Sequence, residues 1–166
     1  MQFAFGLVIV ALAAIIQGTA LDRALGGPRP DLVLLLVLAW SMLRGLAEGT
    51  IGGIAGGLAL DLLSAAPFGL HAALLGGIGS LTALGEANLY RGSLPLFLVT
   101  AAVATVGLHG GTLLVMQATG QETFGLLRFV QFVVPTMLLN ALLMPLAFVL
   151  AQRGVRALAG WRQLEV

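Results

Sequence analysis

Apolar residues run along this chain in six long stretches, and polar positions are confined mostly to the gaps between them. The stretches cover residues 3–21, 31–44, 49–64, 68–87, 93–118 and 129–151. They are continuous, as in residues 32–43, where a barrel strand would alternate over about ten residues. Backbone groups in lipid must be satisfied within their own segment, so continuous runs read as helices. About 20 apolar residues cross a bilayer in that form. The pattern therefore predicts an all-α integral membrane protein, a six-transmembrane-helix bundle. It forms one multi-pass domain over 1–166 with a short basic tail at 152–166. The second stretch is short for a crossing and is bracketed by Asp31 and Arg44. Local thinning of the bilayer or snorkelling of Arg44 would accommodate it, and a re-entrant pair made by stretches two and three is the alternative. The first stretch lacks a preceding cation and is long enough to span, so it does not read as a cleavable signal.

Composition strengthens this reading. The residues AVILMFWYC make up 59% of the chain and charged residues 9%, where a soluble domain carries about 25%. Such hydrophobicity excludes disorder. With no Cys, disulfide frameworks and thiolate metal sites are excluded as well. A net charge of +1 from scattered arginines, with no lysine at all, argues against nucleic-acid binding, which needs clustered cations. At 166 residues, without linker or low-complexity tail, the chain predicts a single domain. Arginines in short loops set orientation. Placing both termini in the cytoplasm puts Arg44, Arg91, Arg153, Arg156 and Arg162 inside against Arg23, Arg29 and Arg128 outside, with Trp161 as an interfacial anchor.

The third and fourth stretches carry the most information. Gly45, Gly49, Gly53, Gly57 and Asp61 recur every four residues, and Gly52 and Gly56 broaden that face. Small residues at this spacing let helix backbones approach closely, either within the bundle or against a partner's helix. Ala72, Gly76 and Ser80 repeat the device in the fourth stretch, Gly107 and Gly111 in the fifth. Asp61 extends the glycine face by one turn and so points into the packed seam. An intramembrane carboxylate needs a partner. Across the turn, Pro67 suits the first position of the next helix, and His71 follows one turn later at similar depth. An Asp61–Ser64–His71 clasp is expected, one that Asp61→Asn would leave largely intact. A proton relay, a catalytic carboxylate and a partner contact are the other readings of these residues.

Elsewhere, Asn140 lies between Pro135 and Pro145 and reads as an interhelical hydrogen-bonding group in a proline-containing helix. His109, beside Gly110 and Gly111, reads as similar polar glue; two His without Cys make a poor metal case. Asp31 after Pro30 has the signature of an N-cap. Arg44 and Glu48, four apart, are placed to pair.

The stretch from Gly57 through Asp61, Ser64, Pro67, Gly69 and His71 to Ala72 resembles the signature of the MreD family of bacterial rod-shape-determining membrane proteins, approximately G-x-x-x-D-x-x-S-G-x-P-x-G-x-x-A. Pro30 to Trp40 is similar to that family's second segment, and Asn140 with Pro145 and the Arg-bearing tail to its last helix; Ala65 stands where the family often has Gly. The resemblance implies a non-enzymatic subunit of the cell-elongation machinery in the bacterial inner membrane, without a cofactor. Its implied partners are MreC, the glycosyltransferase RodA with its penicillin-binding partner, and MreB filaments. It also implies a fold like that of the substrate-binding subunits of energy-coupling-factor vitamin transporters.

Two other functional classes remain open. A vitamin-binding subunit needs an enclosed cavity with aromatic and polar lining, yet Trp40 and Trp161 lie near segment ends and Tyr90 in a loop. An intramembrane aspartyl hydrolase needs two carboxylates sharing one site, and Asp31 and Asp61 are the candidates.

Overall fold

A computed structural model describes residues 2–21, 28–64, 66–85, 94–121 and 125–160; Arg23, Ala65, Tyr90, Arg91, Trp161 and Arg162 lie outside them. Six α-helices make up the described fold: α1 (Gln2–Ile16), α2 (Leu32–Arg44), α3 (Leu46–Asp61), α4 (Leu70–Leu84), α5 (Leu94–Ala118) and α6 (Leu126–Gly160). A wider helical turn, Gln17–Leu21, prolongs α1.

The all-round apolar sequence of α2 makes it the hub, as expected of a helix with no polar face. It packs against each of the other five helices, with Val33, Leu34, Val37 and Leu38 almost fully buried. Around it, α1 packs on α3, α3 on α4, α4 on α5 and α5 on α6, while α6 and α1 barely touch. The α5–α6 pair is closed at one end by Phe97 and Phe148, whose ring centroids lie 4.8 Å apart.

Several boundaries differ from the sequence pattern. Gly45, at φ 83°, reverses the chain in a single residue, so α3 begins at Leu46 rather than 49. A side chain at this φ would be strained, which is the use of glycine here. At its other end α3 stops at Asp61, and Leu62 to Ser64 form a turn. Helix α6 runs through Pro135 and Pro145 and past 151 to Gly160. The apolar run ends near 151, but Gln152, Arg153, Arg156, Ala157 and Leu158 are good helix formers, so what reads as a tail continues the helix.

Leu94–Ala118 and Leu126–Ala157 are long and apolar enough to cross a membrane. The 13, 16 and 15 residues of α2, α3 and α4 extend only about 20–24 Å, against about 30 Å of hydrocarbon.

Candidate functional site

The glycine face of α3 is consumed within the bundle. A Cβ at Gly53 would collide with the backbone of Leu75 and Gly76, and one at Gly57 with the backbone of His71 and Ala72. At Gly49 it would strike Ser41, and from the other side a Cβ at Gly79 would stand 2.6 Å from the Gly49 carbonyl. The α3–α4 pair is accordingly the most intimate in the fold. Thr50 and Ser80 add a hydroxyl–hydroxyl bond of 2.7 Å across it. Gly76 is backed by the Ile54 side chain and Gly111 by Leu74. Gly107 differs: nothing lies within 4 Å of where its Cβ would be. Its expected packing role inside the bundle is therefore not realised, because α5 turns this face outward.

Where that seam ends, Asp61 is buried and gathers donors from the start of α4. Its Oδ2 accepts the backbone N–H groups of Gly69 at 3.0 Å and Ala72 at 3.2 Å. Its Oδ1 accepts the His71 backbone N–H at 3.0 Å and the His71 ring Nδ1–H at 2.8 Å. The first N–H groups of any helix lack intrahelical partners and carry the positive end of its dipole. Asp61 thus caps α4 from a neighbouring helix, in place of a side chain at the cap position itself, which is Gly69. That glycine sits at φ 93°, and Leu70 N–H bonds the Pro67 carbonyl at 3.1 Å, closing a turn of type II character.

Three expectations for this cluster are corrected. Ser64 is exposed and stays out of the clasp, because α3 has already ended three residues earlier. Pro67 opens the turn before α4 and does not occupy its first position. Asp61→Asn is no longer conservative either. Both carboxylate oxygens face backbone donors, so an amide NH2 would be aimed at N–H groups whichever way it turned.

A second buried cluster joins α1, α2, α5 and α6. Asn140 Oδ1 accepts the Asp31 backbone N–H at 2.8 Å, while its Nδ2 donates to Asp31 Oδ2 at 2.8 Å and to Thr105 Oγ1 at 2.9 Å. Thr105 in turn donates to the Ala101 carbonyl at 2.7 Å. Gln17 Nε2 approaches Asp31 Oδ1 at 3.4 Å, and its Oε1 accepts the Val33 N–H at 3.0 Å. His109 donates from Nδ1 to the Thr105 carbonyl at 3.0 Å, which places its Nε2 3.8 Å from Asp31 Oδ2. Its ring lies 5.9 Å from that of Phe132.

Asp31 does occupy the residue before α2, yet its side chain makes no cap hydrogen bond. The carboxylate turns toward Asn140 and Gln17, and Gln17 supplies the cap instead. Sequence reasoning missed Gln17, Thr105 and Thr136. The signal for Gln17 was a lone amide at the end of an apolar run. Thr105 and Thr136 carried none, because threonine is common in apolar helices. Thr136 is fully buried one turn before Asn140, and its hydroxyl has no partner.

Both carboxylates are engaged by fixed donors in separate clusters with different partners, an arrangement suited to locking helices together. At the opposite end of α2, Arg44 and Glu48 form a bidentate pair with both bonds at 2.8 Å. Among the described residues, no group of three His, Cys, Asp or Glu is placed to hold a metal ion.

Compared with known proteins, residues 1–153 match the family model described as MreD, rod shape-determining protein MreD. No curated protein and no solved structure matches the chain.

Proposed function

The chain belongs to the MreD family of rod shape-determining membrane proteins, and on that premise we propose that it works by binding, as a non-catalytic scaffold of the bacterial cell-elongation machinery. In this reading it sits in the inner membrane with six crossings and both termini in the cytoplasm. It holds MreC and supports RodA with its penicillin-binding partner, while MreB filaments connect directly or through MreC. The C-terminal ends of α2 and α6 lie at one end of the bundle, so Arg44, Arg153 and Arg156 gather there, as the positive-inside rule favours.

The observation that carries the reading is the contrast among the small-residue positions. Gly49, Gly53, Gly57, Gly76 and Gly111 are filled by neighbouring atoms of the same chain, and Gly107 is open. The contact face for MreC is accordingly assigned to α5 around Gly107, flanked by the exposed Val103 and Val106. Photo-crosslinkers placed singly at Val103, Gly107 and Val106 in living cells test this. Capture of MreC from α5, with none from the exposed Leu142 on α6, is expected; absence of any MreC adduct from the three α5 positions overturns the assignment. The vitamin-binding alternative gains no support from the cavity beside α2, whose lining of Leu36, Trp40, Leu150 and their neighbours is apolar.

A further inference from the structure

Helix length divides the molecule into two sides. On one, α5 runs for 25 residues without an Asp, Glu or Arg, and α6 carries none between Arg128 and Arg153. Each offers an apolar span of roughly 37 Å, which tilting fits to about 30 Å of hydrocarbon. On the other side, the 16 residues of α3 reach roughly 24 Å, and tilting only shortens that span. Polar groups fix α3 at both ends. At its start the bidentate Arg44–Glu48 pair is part-exposed. Bound to the first turn of α3, the Arg44 guanidinium is not free to reach outward. Beyond its other end, residues 62–64 and 66–69 are non-helical, and Leu62, Ser64 and Phe68 are exposed. Irregular backbone exposed to lipid does not occur within hydrocarbon. Between these two ends, Ile51, Ile54 and Leu58 face outward.

We propose that the outward face of α3 thins the bilayer on its own side of the molecule and is lined preferentially by short-chain phospholipid. The inference rests on the six-crossing reading. If α3 crosses, both of its polar ends meet the headgroups, and the hydrocarbon beside it is no thicker than the helix is long. The shortfall is about 6 Å. A bilayer meets a short span by thinning, by snorkelling of flanking side chains or by association of helices. Snorkelling of Arg44 is taken up by Glu48. Association through small residues is taken up as well, since Gly49 is covered by α2 and Gly53 and Gly57 by α4. What α3 leaves outward is bulky and apolar, a surface for acyl chains. The effect is one-sided, because α3 packs on α1, α2 and α4, whereas α6 packs on α2 and α5.

The test uses the full-length protein alone in phosphatidylcholine vesicles, so that no partner covers either side. Trp40→Phe with Trp161→Phe removes both native tryptophans. Single reporters then go to exposed positions, Ile51→Trp on α3 or Leu142→Trp on α6. Leu58→Trp repeats the α3 measurement where Ile51→Trp fails to fold. Brominated dioleoylphosphatidylcholine quenches a tryptophan that it touches, and an unbrominated competitor relieves the quenching according to its share of the neighbouring sites. At the α3 reporter, dimyristoleoylphosphatidylcholine is expected to compete about twofold better than dioleoylphosphatidylcholine, and dierucoylphosphatidylcholine less well than either. At the α6 reporter no preference for the shorter lipid is expected. Quenching at α3 with equal competition by all three lipids overturns the proposal and leaves the six-crossing reading standing. An equal short-chain preference at α3 and α6 also overturns it, since the thinning would not belong to one side. An α3 reporter that no brominated chain quenches overturns the six-crossing reading itself, and the proposal with it.

Discussion

The two buried carboxylates solve the same problem by different routes. Asp61 takes all its donors from residues eight to eleven positions ahead, across one turn. Asp31 takes its main partner, Asn140, from 109 residues away, and its second, Gln17, from the preceding helix. In both places a helix starts with N–H groups that have no partner within the helix, buried at α2 and part-buried at α4, and in neither does the cap residue's own side chain satisfy them. A neighbouring helix supplies the acceptor: Asp61 for α4, Gln17 for α2. Capping from a neighbour couples the start of one helix to the position of another. The Asp61 cluster therefore locks a hairpin that can form locally, and the Asp31 cluster locks the assembly of α1, α2, α5 and α6 after they have met.

Substitutions separate the two. Asp61→Ala leaves three backbone N–H groups and the His71 ring without acceptors. At about 1–3 kcal/mol for each buried unsatisfied group, a loss of about 4 kcal/mol is expected in reversible unfolding from mixed micelles. Asp61→Asn should cost nearly as much, and a mild effect there would show that the cluster tolerates a repelling amide. Asn140→Ala removes three hydrogen bonds between helices. Such bonds average about 0.6 kcal/mol in membranes, so about 2 kcal/mol is expected; a cost equal to that of Asp61→Ala would erase the distinction between local and distant locks. Gln17→Leu, which takes the cap from Val33, should cost about 1 kcal/mol in the same assay. Ser64→Ala and Gly107→Ala should each stay within about 0.5 kcal/mol, since Ser64 is exposed and nothing stands in the way of a Cβ at Gly107. A large loss at Ser64 would restore it to the clasp.

The difference in range also explains what was legible. The Asp61–His71 contact follows from helical spacing on either side of a short turn, where few geometries are available. Ser64 looked equally near in sequence, but where α3 ends decides which way it points, and a difference of three residues in that boundary removed it. The Asp31–Asn140 contact has no local cause. Each residue shows by itself only that a polar group in an apolar run wants a partner, and several candidates exist. The choice depends on α2 lying between α1 and α6, which is a property of the assembled bundle.

From the sequence by itself come the helical class, the six apolar segments, the small-residue faces of α3 and α4 and the family, because continuous hydrophobicity, glycine spacing and a compact motif are local patterns. That the two faces close on each other is seen only in the fold. Tertiary structure alone decided that α2 is the hub, that Gln17 rather than Asp31 caps it, that Gly107 faces outward while the other five glycines are filled, and that α1 and α6 leave a seam. These depend on which helices become neighbours, and apolar surfaces of similar composition do not encode that choice by pattern. Shape fit and a few distant hydrogen bonds make it once the helices have assembled.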